Sequence, residues 1–188
     1  MDIVSTQQTR KLHPHKFTLW IALASIIMMF AGLTSAYVVK SSAPNWEEID
    51  TPKLFYISTV VLLASSLTMQ MALRAFKQRH MQQYRVLISV TTVLGIAFVV
   101  LQYFGFRWMW AHGVHFKGAS GQGQFLYVIA GLHALHVVGG IVALTVMALK
   151  AYFSNRRNYN NVPVEMAATY WHFVDALWLY LLVFFVLI

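Results

Sequence analysis

The chain has 188 residues, 59% of them hydrophobic and 15% aromatic, and its 14 Lys and Arg outweigh 6 Asp and Glu for a net charge of +8. Cysteine is absent, which excludes disulfides, thiolate zinc, iron–sulfur ligation and thiol catalysis. So large a positive charge suggests nucleic acid on a soluble domain, but the polar stretches between the apolar runs are too short to form one with its own core.

A polar arm, residues 1–16, precedes a first apolar run at 17–39 that contains Thr34-Ser35-Ala36, small residues resembling a cleavage site. The run is longer than the ~7–15-residue apolar region of a signal peptide, so it reads as a membrane span. Four more follow, at about 54–76, 86–106, 125–149 and 166–188. At ~1.5 Å per residue, runs of about 20 residues cross a ~30 Å hydrocarbon layer. These runs are apolar on all sides, whereas barrel strands alternate in segments of about ten, so the spans are helices. The expected fold is an all-α integral membrane protein, one five-transmembrane-helix bundle over 17–188 behind the arm.

Orientation follows from where the cations fall. Arg10, Lys11 and Lys16 in the arm, Arg74, Lys77, Arg79 and Arg85 in the second loop, and Lys150, Arg156 and Arg157 in the fourth share one side. The first and third loops hold only Lys40, Lys53, Arg107 and Lys117, and Glu47, Glu48 and Asp50 lie in the first. The N-terminus is therefore expected in the cytoplasm and the C-terminus outside.

Between spans, Ser41 to Pro44 and Thr51-Pro52 bracket the first loop, Gly118 to Gly123 fill the third, and Asn158 to Pro163 the fourth. The second loop, Arg74 to Arg85, is helix-tolerant and predicts a tight hairpin of spans two and three. The third is expected to lie flat on the outer surface, with Trp108 and Trp110 at headgroup depth. Other aromatics near span ends, among them Trp20, Tyr37, Phe55, Tyr84 and Tyr127, read as an interfacial belt. Gly32 with Ala36, Ala64 with Thr68 and Gly139 with Ala143 are small residues four apart, a spacing that admits close helix packing in lipid.

The last two spans carry the chemistry: Gly131-Leu132-His133-Ala134-Leu135-His136 and Tyr170-Trp171-His172-Phe173-Val174-Asp175. Ionisable groups in hydrocarbon persist only where they find partners. His133 and His136 share one helix face, as do His172 and Asp175. A protein-bound metal is the sharp reading, since imidazole and carboxylate at this spacing can ligate zinc or iron. Against it, counting residues offsets the two pairs by about one to two turns. Di-iron histidine boxes need more imidazoles, and His13, His15, His80, His112 and His115 fall outside the spans. Haem wants histidines at matched depth, and a proton relay needs a continuous path. The residues instead suggest an interhelical polar network of His133, His136, His172 and Asp175, bonding one another or an inserted lipid headgroup, with Glu165 reaching in from the cytoplasmic side.

These two segments, with Glu165 and Trp178, resemble subunit III of the haem–copper terminal oxidases. The likeness extends through Thr59 to Ser66 and Val93 to Tyr103 and covers nearly all of the chain from Phe17. It implies an accessory, cofactor-free subunit of a proton-pumping oxygen reductase of the cytochrome c oxidase type in a bacterial inner membrane. It further implies bound phospholipid and no catalytic residues of its own. Haem and copper belong to partner subunits, catalytic subunit I with subunit II beside it, and supercomplex membership is left open. On this reading His133, His136, Glu165, His172 and Asp175 serve structure and lipid contact. Two departures stand out: many members have seven spans, and the family's intramembrane glutamate, six residues before the glycine matched by Gly32, falls on Ile26. Alternatives are a related subunit of a quinol oxidase or nitric oxide reductase, an independent membrane metalloenzyme, and a small transporter, which lacks the expected broken helices and inverted repeat.

Overall fold

The computed structural model describes residues 14–42, 53–112, 121–153 and 161–187. Most of the arm (1–13) and the expected loops at 43–52, 113–120 and 154–160 lie outside the described residues, as do Glu47, Glu48, Asp50 and His115.

Five helices occupy the five apolar runs: α1 (Pro14–Ser41), α2 (Lys53–Lys77), α3 (Met81–Ala111), α4 (Gly121–Phe153) and α5 (Val162–Leu187). All five are long and apolar enough to cross a membrane, and no strand occurs among the described residues. The chain is a multi-pass integral membrane protein. Helix α3 runs 31 residues, extending five past each expected boundary, because a helix continues through helix-tolerant polar residues beyond the apolar run that hydropathy marks. Trp108 and Trp110 accordingly sit in the last turns of α3 instead of in a flat loop, and Trp108 stacks on His112 at 3.9 Å.

Helices α2 and α3 form the expected hairpin, joined through Gln78, Arg79 and His80. The His80 amide donates to the Ala75 carbonyl and the Arg79 amide to that of Phe76, with Arg79 at φ 62°. That is the Schellman arrangement, with arginine where glycine is usual. At the start of α5, Asn161 accepts from the Glu165 amide and Pro163 falls in the first turn, where a missing N–H costs nothing.

Helices α2, α3, α4 and α5 close a ring, each touching its two neighbours, and α1 leans on α4 and α5. Trp171 fills the middle. A β-carbon on Gly95 of α3 would meet its ring at 2.7 Å, one on Gly140 of α4 at 3.0 Å, and its indole N–H donates to Ser65 Oγ of α2 at 3.1 Å. One side chain of α5 thus engages the other three helices of the ring. Gly105 similarly seats Phe55. Of the sequence-derived small pairs, Gly32 has nothing within 4 Å of an added β-carbon and Gly139 only the Tyr170 hydroxyl at 4.0 Å, whereas Thr68 of the third pair meets Thr91 of α3 at 2.9 Å.

Lipid tails are as apolar as leucine, so burial alone does not hold such a ring; packing and interhelical hydrogen bonds do, at ~0.6 kcal/mol per bond on average. Trp178 donates to Thr59, Gln102 to Ser58, Tyr170 to the His136 carbonyl, and Thr34 pairs with Tyr180. Outward positions are apolar, including Val60, Leu67, Val93, Leu135 and Val142.

Candidate functional site

Helices α4 and α5 run antiparallel with Gly140 against Trp171 and His133 against Trp178. That register sets the His133/His136 pair about one turn along from His172/Asp175. The four side chains then leave in three directions.

His133 points into the centre and is fully buried. It stacks on Trp178 at 5.1 Å, meets Phe98 and Phe30 edge-on at 6.1 and 6.4 Å, and neither ring nitrogen has a hydrogen-bond partner. His136, half-buried, turns toward α1: it lies 5.8 Å from the Phe30 ring, and its Nδ1 bonds the Leu132 carbonyl at 2.7 Å. Because a carbonyl can only accept, Nδ1 is the donor in that bond.

His172 and Asp175 turn toward α2. His172 Nδ1 lies 2.7 Å from Ser66 Oγ, and its Nε2 lies 3.2 Å from Gln70 Oε1. Asp175 is 4% exposed, and neither carboxylate oxygen has a partner of good geometry; the Ser66 hydroxyl faces it but is engaged by His172.

Glu165 does not reach this depth. It bridges Lys16 of α1 at 2.8 Å and Lys77 of α2 at 3.1 Å, with the carboxylate side chain 27% exposed. Three helix termini meet there at one end of the bundle, and the N-terminal turn of α5 adds its own attraction for the carboxylate.

Among the described residues, none of His133, His136, His172 and Asp175 hydrogen-bonds another, so the expected mutual network resolves into separate sites. The physical reason is helix rotation: shared faces along one helix do not ensure facing partners on the next. No three His, Asp or Glu side chains among the described residues converge as a metal site would require. Ile26 stands partly buried against the core where the family's glutamate is expected, so no carboxylate from α1 enters here.

Sequence reasoning missed the partners on α2, namely Thr59, Ser65, Ser66 and Gln70, and the clamp of Lys16 and Lys77 on Glu165. A signal existed, since Ser58, Thr59, Ser65 and Ser66 crowd one span. Hydroxyls that bond their own helix are common in spans, however, and mask those that cross between helices. A groove of ≈ 650 Å³ opens where α1, α4 and α5 meet, lined by Leu19, Gly140, Met147, Met166 and Tyr170 among others. Its lining is almost entirely apolar.

The family model described as cytochrome c oxidase subunit III matches residues 8–187. The chain belongs to the cytochrome c oxidase subunit III family. It is 31% identical over 162 residues to a probable cytochrome c oxidase subunit 3 of Mycobacterium bovis, covering 84% of this chain and 79% of that protein. The Nocardia farcinica protein of the same description is 31% identical over 164 residues, covering 85% and 80%. The cytochrome c oxidase subunit 3 of Bacillus subtilis is 25% identical over 193 residues, covering 94% and 91%. Subunit III is an accessory subunit of a haem–copper oxidase, so the chain works within an oxidase complex.

Proposed function

We propose that this subunit III is non-catalytic and cofactor-free, stabilises catalytic subunit I beside subunit II, and binds phospholipid. Haem and copper reside in those partners. The observation that carries this reading is how its intramembrane polar groups are used. His172 is spent on Ser66 and Gln70, His136 on its own helix, and His133 on stacking with Trp178. Each role is one of helix packing, and none leaves two imidazoles facing one another across a space where a metal or porphyrin iron would sit.

Lipid binding is supported by the groove between α1, α4 and α5. Its volume lies in the usual range for small-ligand sites, its walls are apolar, and Lys16 stands one turn from Leu19 at its rim. An acyl chain in the groove with its phosphate near Lys16 satisfies both ends. On this reading the five helices form one membrane domain in a bacterial inner membrane. The end bearing Lys16, Lys77 and Glu165 faces the cytoplasm and the C-terminus faces outward, in keeping with the cation bias of the loops.

Purification through a tag on this chain in mild detergent tests the reading. A catalytic subunit with haem and copper should copurify, and Leu19→Trp, which fills the groove, should lower retained lipid while the haem spectrum of the complex stays unchanged. Non-haem iron in place of copper would transfer the chain to a nitric oxide reductase complex. Stoichiometric metal on the isolated chain, lost in His133→Ala, would refute the cofactor-free assignment.

A further inference from the structure

The seam between α2 and α5 exposes hydrogen-bonding capacity that this chain does not use. Ser66, Gln70 and His172 are each half-buried there, flanked on α2 by the exposed Leu63, Leu67 and Met71. With Gln70 Oε1 engaged by His172, both N–H groups of the Gln70 amide are without a partner among the described residues. Turning the amide over leaves one N–H and the oxygen unpaired instead.

Depth decides what can satisfy them. Gln70 stands seven residues from Lys77 and His172 seven from Glu165, so both lie ~10 Å below the layer of ion pairs at the bundle end. Phosphate and ester groups of lipids stop at the boundary of the hydrocarbon, and acyl chains offer no acceptor. Water is as scarce at that depth. A protein side chain from a neighbouring helix remains.

We propose that the α2–α5 seam is where a transmembrane helix of another oxidase subunit packs, presenting an uncharged polar side chain to Gln70. This rests on the reading of the chain as an accessory subunit. The groove between α1, α4 and α5 contrasts with the seam: it is apolar and suits an acyl chain, whereas the seam is a strip of amide, hydroxyl and imidazole between leucines. Interhelical polar contacts of this kind set register between membrane helices that packing alone leaves free to slide.

A photoreactive benzoylphenylalanine, incorporated during synthesis in place of Leu67 on the seam or of Val142 on α4, 68% and 58% exposed in the free chain, needs no labelling step in the intact complex. The probe at Leu67 is expected to give an adduct with another oxidase subunit, identified by mass, and the probe at Val142 to give lipid adducts. Lipid adducts alone at Leu67, a dimer of this chain, or equal subunit adducts at both positions would overturn the assignment. Gln70→Leu should lower retention of the chain in the detergent-washed complex by roughly 3- to 20-fold, with Gln70→Asn between it and the parent. Unchanged retention in Gln70→Leu would also overturn it. If the parent chain copurifies with the oxidase while these arms fail, the seam alone is wrong. If it does not copurify at all, the accessory reading is wrong.

Discussion

Gly95→Ala is expected to destabilise the bundle although alanine is the better helix former. The new β-carbon would stand 2.7 Å from Trp171 Cη2, 3.1 Å from Cζ2 and 3.2 Å from Ile141 Cγ1. The indole cannot slide away freely: Gly140 backs its other side, and its N–H is committed to Ser65 at 3.1 Å. Overpacking of this kind costs about 1–3 kcal/mol. Losing the Ser65 bond as the ring shifts adds about 0.6–1.7 kcal/mol. Alanine returns up to about 1 kcal/mol of helix propensity. The balance is a loss of about 1–4 kcal/mol. Gly32→Ala serves as the internal comparison, because its β-carbon meets nothing within 4 Å, and it should be neutral or stabilising by up to about 1 kcal/mol. Equilibrium unfolding of the reconstituted chain in mixed micelles, titrated with a denaturing detergent and followed by tryptophan fluorescence, reads both. A Gly95→Ala protein as stable as the parent, or a Gly32→Ala protein equally weakened, would refute the account of Trp171 as the centre of the ring.

Glu165→Gln should loosen the meeting of α1, α2 and α5 by roughly 0.5–1 kcal/mol at low salt, since all three side chains are partly exposed. The difference from the parent should shrink in 1 M salt, and a loss independent of salt would argue against a screened ion pair. Asp175→Asn should leave stability unchanged or raised, because neither carboxylate oxygen has a partner and burying a charge alone is costly; a drop above about 1 kcal/mol in the same unfolding assay would reveal a donor to the carboxylate. Tyr180→Phe removes the 3.0 Å bond to Thr34 that ties α1 to α5. Limited proteolysis should then cut the chain after α1 faster, by an amount corresponding to about 0.5–1.5 kcal/mol of lost closure.

How many spans exist and where they lie was legible from sequence because hydrocarbon thickness imposes a local rule, a run of apolar residues long enough to cross. The α2–α3 hairpin was legible for a similar reason, as few residues separate Lys77 from Met81 and the helices have no room to part. The polar residues at His133, His136, His172 and Asp175 stood out because hydrocarbon makes each expensive. Even the approximate offset of the two pairs followed from counting residues at a fixed rise.

What those residues touch was settled by the rotation and register of whole helices, which no local pattern reports. His172 meets Ser66 and Gln70, His133 meets Trp178, and Asp175 faces a Ser66 hydroxyl already engaged by His172. Small residues recur four apart by chance, so that spacing picked out Gly32, which packs against nothing within 4 Å, and passed over Gly95 and Gly140, which seat the Trp171 ring. Apolarity along one chain tells a helix to enter the membrane. Inside it every face is equally apolar, and only the shapes and hydrogen bonds of neighbouring helices choose which face turns inward.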